Sequence, residues 1–122
     1  MNHRLRVGIA GLGRMGRRHA ENLARRVPHA ELVAACDPGV EALEWAQREL
    51  GVPHCYDDYA KMLAQPDLEA VFLVTPTALH ARQIVDALRA RKHVFSEKPL
   101  SLDVAECQRV EAEAALQPDL KV

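Results

Sequence analysis

Val7-Gly8-Ile9-Ala10-Gly11-Leu12-Gly13-Arg14-Met15-Gly16 decides the fold of this chain. An apolar run ends in three glycines spaced G-x-G-x-x-G, and a helical pattern follows at once. Gly11 permits a tight turn. Gly13 lets a ligand approach the backbone with no Cβ between them. Gly16 allows a helix to pack closely on a strand. A helix that starts here offers unpaired N–H groups and a partial positive charge, which suits a diphosphate. The spacing alone is weak evidence, since a glycine-rich turn can also bind nothing. Its place between a predicted strand, residues 4–10, and a helix reaching about Arg26 gives it weight.

Working outward, strand-like and helix-like segments alternate to the end of the sequence. Residues 31–36 read as a second strand that stops at the turn Asp37-Pro38-Gly39. A helix over 40–50 carries Ala42, Leu43, Ala46 and Leu50 on one face, and Gly51 closes it. His54-Cys55-Tyr56 forms a short third strand, and Asp57 or Asp58 caps a short helix through Leu63. Residues 70–74 are apolar throughout, as a central parallel strand requires. A helix over 78–90 places Ala81, Ile84, Val85 and Leu88 at i, i+3, i+4, i+7. His93-Val94-Phe95-Ser96 is a fifth strand. Ser101 is expected to cap a helix to Leu116, with Asp103 in its first turn, and Leu120-Lys121-Val122 reads as the start of a sixth strand. The fold class is therefore α/β. The expected architecture is a doubly wound parallel sheet of Rossmann type in the order 3-2-1-4-5, with any sixth strand beside the fifth.

Asp37 stands about 20 residues beyond Gly16, at the end of the second strand. An acidic side chain there accepts hydrogen bonds from the adenosine ribose, and its charge repels a 2′-phosphate. NAD is accordingly favoured over NADP. The other reading of Asp37 is a turn residue before Pro38. Arg14 can lie along the cofactor, whereas Arg17 and Arg18 are expected on a solvated face. Thr75-Pro76-Thr77 and Glu97-Lys98-Pro99 follow the fourth and fifth strands. They share the carboxyl edge of the sheet with the glycine loop, where the nicotinamide half of a dinucleotide would reach.

Composition narrows the alternatives. The 122 residues suit one domain, 1–122. Aromatic residues make up 4%, so the core must be aliphatic, and a net charge of −1 gives no nucleic-acid or membrane surface field. No signal peptide or membrane span is expected. The cysteines Cys36, Cys55 and Cys107 lack CxxC spacing and fit reduced thiols in the cytoplasm. The six histidines show no metal-ligand spacing, so no metal is expected.

Together, the glycine loop, the Asp37 position, residues 75–80 (TPTALH) and residues 92–100 (KHVFSEKPL) resemble the glucose–fructose oxidoreductase/inositol dehydrogenase family (Gfo/Idh/MocA). Residues 101–122 are most similar to the myo-inositol 2-dehydrogenases within it. The resemblance implies the N-terminal NAD-binding domain of a longer oxidoreductase. Such an enzyme oxidises a secondary alcohol of a sugar or cyclitol, with hydride passing to nicotinamide C4. A C-terminal α/β domain, absent from this chain, would hold the catalytic Asp and His, the polyol site and the homo-oligomer interface. Carried over residue by residue, Lys98 matches the catalytic lysine of the Glu-Lys-Pro motif. Thr75, Pro76, His80 and Glu97 match positions around the nicotinamide and its ribose. Thr77 departs from the family, which often has Asn there. The resemblance further suggests a cis Lys98–Pro99 peptide. A reading that stays open is a stand-alone NAD-binding module or sensor. On the enzyme reading, these residues alone bind NAD weakly and turn over nothing.

Overall fold

The computed structural model describes residues 3–98 and 100–122. The peptide joining Lys98 to Pro99 lies outside the described residues. Five strands, β1 (Leu5–Ala10), β2 (Ala30–Cys36), β3 (His54–Tyr56), β4 (Ala70–Leu73) and β5 (His93–Ser96), form one sheet in the order β3-β2-β1-β4-β5. Every neighbouring pair is parallel. Between them run α1 (Arg14–Arg25), α2 (Val40–Leu50), α3 (Tyr59–Leu63), α4 (Thr77–Arg89) and α5 (Val104–Leu116).

Alternation along the strands divides the core into two layers. Val7, Ile9, Leu32 and Ala35 face one way and pack with Ala20 and Leu23 of α1 and Ala46 of α2. Ala10, Ala34, Val71 and Leu73 face the other way and meet Met62, Ile84 and Leu88 from α3 and α4. Ile9, Leu73, Ile84 and Leu88 are fully buried. Truncating any of them to alanine would cost about 2–5 kcal/mol.

Register lines up the strand ends. Ala10 pairs with both Cys36 and Leu73, and Leu73 pairs with Ser96. The segments beginning at Gly11, Asp37, Val74 and Glu97 therefore leave the sheet along one edge. This is the crevice where ligands of open parallel sheets bind.

Three local expectations need correction. Residues 120–122 are not a strand. Val94 N–H donates to the Lys121 C=O, but the Lys121 N–H turns to His93 Nδ1, so no ladder forms. The cap of α5 is Asp103, whose carboxylate accepts from Ala105 N–H at 2.8 Å. Ser101 instead accepts from Asp103 N–H and donates to Glu106. Arg17 is not merely solvated: its Nε donates to the Leu12 C=O, and its guanidinium lies 4.8 Å from the Trp45 ring centroid. Of the two candidate caps for α3, Asp58 serves, accepting from Ala60 N–H.

Candidate functional site

The glycine loop is built by contacts that a side chain would break. Gly11 has φ +96°, and a Cβ on it would lie 2.3 Å from the Val74 carbonyl oxygen. A Cβ on Gly16 would lie 1.9 Å from the Gly11 carbonyl oxygen. Strand β1, the loop and the first turn of α1 can close up only with glycine at both places. Gly13 differs. Its φ is −73°, which any residue adopts, and a Cβ there would meet nothing within 4 Å. Packing within the chain does not require glycine at 13, and the space beside it is open.

That space lies at the start of α1. The first intrahelical bond runs from Arg17 N–H to the Gly13 C=O, so the amides of Arg14, Met15 and Gly16 have no acceptor within the helix. Gly13 offers no capping side chain, and the first turn contains no acid. The positive end of the helix dipole is thus left for an external anion. Arg14 and Met15 are exposed beside it.

Asp37 reaches into the same crevice from the end of β2. Leu12 N–H donates to its Oδ2 at 2.7 Å, and Gly39 N–H donates to its Oδ1 at 2.8 Å. The carboxylate is therefore fixed in orientation and tied to the glycine loop. A carboxylate oxygen has more than one acceptor site, so both oxygens retain capacity for ribose hydroxyls. A cleft of about 560 Å³ runs from Gly11, Gly13 and Asp37 to Thr75 and Pro76. Cys36 and Tyr59 also line it. Burial, with lesser help from Asp37, Asp58 and Asp57, pushes the Cys36 thiol up to about 12. This thiol is a neutral wall of the cleft and no nucleophile.

The segment after β4 is pinned by α4. Thr75 Oγ1 donates to Gln83 Oε1, and the Thr75 C=O lies 2.7 Å from His80 Nε2. Tyr59 OH donates to the Gln83 C=O at 2.7 Å. His80 is 2% exposed and supports the loop from beneath. After β5, Glu97 N–H donates to the Leu73 C=O, which holds Glu97 half-buried at the edge, while Lys98 is exposed. The structure thus gathers Gly11, Gly13, Asp37, Thr75 and Pro76 around one cleft. Glu97 and Lys98 stand on the same edge after the neighbouring strand.

Residues 5–120 match the model of the Gfo/Idh/MocA oxidoreductase family, described as having an NAD-binding Rossmann fold. The chain belongs to this family. Among its Gfo/Idh/MocA relatives, scyllo-inositol 2-dehydrogenase (NAD(+)) of Bacillus subtilis is 42% identical over 106 residues. That match covers 87% of this chain and 31% of the relative. Myo-inositol 2-dehydrogenase of Thermotoga maritima is 38% identical over the same shares. The crystal structure of scyllo-inositol dehydrogenase from Lactobacillus casei with bound NAD(H) and scyllo-inositol superposes with a TM-score of 0.94 at 42% identity. It is matched over 97% of this chain and 35% of that one. The chain spans about a third of the length of these curated relatives.

Sequence reasoning missed three features of the site. Tyr59 and Gln83 line the cleft but lie outside the motifs. His19 Nε2 lies 3.8 Å from Glu97 Oε2, and only its position one turn beyond Gly16 hinted at that. No helix among the described residues is long and apolar enough to cross a membrane.

Proposed function

We propose that this chain is the cofactor half of an NAD-dependent dehydrogenase that oxidises a secondary alcohol of a sugar or cyclitol, in the manner of a myo-inositol 2-dehydrogenase. The observation that carries the reading is the empty space at Gly13 facing the uncapped start of α1. The family and the inositol dehydrogenases matched above support the substrate class.

The residues fit a dinucleotide. The amides of Arg14, Met15 and Gly16 receive the diphosphate, with the Arg14 guanidinium alongside. The oriented Asp37 carboxylate accepts from the adenosine ribose and repels a 2′-phosphate, which favours NAD over NADP. Thr75, Pro76 and Glu97 border the nicotinamide half, and His80 fixes Thr75 in place. When bound, NAD supplies the acceptor for the hydride leaving the alcohol carbon. Lys98 donates a hydrogen bond to the reacting oxygen, and its ammonium stabilises the charge that develops there. The residue that takes the hydroxyl proton, the polyol site and the oligomer interface belong to a further domain. The three cysteines are free, which supports the cytoplasm as the compartment.

Calorimetric titration of this chain with NADH and NADPH tests the cofactor reading. Weak, saturable heat with NADH and much less with NADPH is expected; no heat with either would refute it. A polyol panel on the full-length protein tests the substrate class, and turnover of no cyclitol or sugar would remove that part. The 122 residues alone are expected to show no polyol-dependent NADH formation.

A further inference from the structure

His19 lies on the sheet-facing side of α1, one turn beyond Gly16. Its ring stands 6.1 Å from the Phe72 ring and 5.9 Å from the Phe95 ring, centroid to centroid. Those two rings stack on each other at 4.6 Å. The aromatic walls set where the imidazole sits but accept no in-plane hydrogen bond from it. Its Nε2 atom is buried and has no hydrogen-bond partner among the described residues. A buried polar nitrogen left in that state is costly, and native folds retain few such atoms without a reason. Across the gap, Glu97 Oε2 lies 3.8 Å away, about 1 Å longer than a typical N–H···O hydrogen bond. Glu97 is held at its backbone, where its N–H donates to the Leu73 C=O, and its side chain is 31% exposed.

We propose that His19 is a positioning residue for Glu97. When the second ribose of a dinucleotide engages one oxygen of the Glu97 carboxylate, His19 Nε2–H closes on the other. The carboxylate is then fixed between imidazole and ribose. Because α1 also begins at the diphosphate loop, this bond ties the two halves of the cofactor site into one register. The inference rests on the cofactor reading above and extends it to a residue outside every motif.

The test uses this chain with three ligands: ADP, which lacks the second ribose, ADP-ribose, which has it, and NADH. His19→Phe keeps the aromatic packing and removes the donor; His19→Gln restores an N–H donor. H19F is expected to weaken NADH and ADP-ribose about tenfold, the scale of one hydrogen bond to a charged group, and to leave ADP within about twofold. H19Q recovers most of the loss, and H19F adds nothing in a Glu97→Ala background. In the wild-type chain, the 15N spectrum of the His19 imidazole should report a hydrogen-bonded Nε2–H with NADH but not with ADP. That readout decides the matter even if H19F fails to fold. Equal weakening of all three ligands, no weakening at all, or an unchanged imidazole spectrum would overturn the proposal and leave the cofactor reading intact. A wild-type chain that binds neither ADP nor NADH would remove both.

Discussion

Replacing Gly13 and Gly16 by alanine, one at a time, should give opposite outcomes from the same added methyl group. At position 16 the new Cβ falls 1.9 Å from the Gly11 carbonyl oxygen. Ordinary contact demands well over 1 Å more, and both partners are backbone. Helix and loop must move apart, at a cost of about 3 kcal/mol or more. For a domain of this size that lowers Tm by roughly 10–15 °C. At position 13 the Cβ meets no atom within 4 Å. Alanine is a poorer N-cap than glycine but restricts the unfolded chain more, so the net change stays within about 1 kcal/mol. The same methyl intrudes on a diphosphate approaching the start of α1. Overpacking of about 1–3 kcal/mol corresponds to NADH binding weakened about 5- to 150-fold. Thermal melts by circular dichroism, paired with NADH calorimetry, separate the two effects. A Gly13→Ala chain that binds NADH as well as the parent would refute the placement of the diphosphate. A Gly16→Ala chain that melts with the parent would refute the packing argument.

Asp37→Ala should do more than relax the choice between NADH and NADPH. It leaves the Leu12 and Gly39 amides without their acceptor, so Tm should also fall by several degrees, roughly 2 kcal/mol in stability; an unchanged melt would show that the carboxylate does not hold the loop. In the full-length protein, Lys98→Ala should abolish turnover while NADH affinity stays within about threefold, because the ammonium acts on the reacting oxygen. Comparable kcat in the variant would remove Lys98 from the chemistry. Stability should decline as pH rises from 9 toward about 12. The Cys36 thiol is neutral in both states below its ordinary value of 9.0, but above it only the unfolded chain ionises until about 12. Burial also raises the Tyr59 hydroxyl, which acts in the same direction. Urea midpoints across that range check this, and Cys36→Ala should flatten the fall; an equally steep decline without the thiol would count against it.

The strand order was legible because apolar runs and glycine turns are local signals, and the handedness of β-α-β crossovers does the rest. The role of Gly16 was legible for the same reason, since its contact is with Gly11 in the same loop, whereas the close approach of Gly11 to Val74 joins segments far apart in the chain. What escaped the sequence depends on distant neighbours. Asp37 could be placed at the crevice, but its bond to Leu12 arises from two strands meeting in register. Ser101 and Asp103 are both good caps by type, and only the backbone path chose Asp103. Leu120-Lys121-Val122 has strand composition, yet His93 intercepts the amide that a ladder would need. His80 could contact the cofactor or lie on a polar face by pattern alone; the course of α4 buries it and sets its Nε2 against the Thr75 C=O.

The single bond from Val94 to the Lys121 carbonyl has a consequence for life in a crowded solution. It occupies a donor that β5 would otherwise present to any passing extended peptide. At the opposite flank β3 is only three residues long. The occupied Val94 donor on one side and the shortness of β3 on the other both limit what a foreign strand can pair with. Shortening the tail beyond Gln117 would uncover the Val94 amide, and with it a route to fibre-like growth.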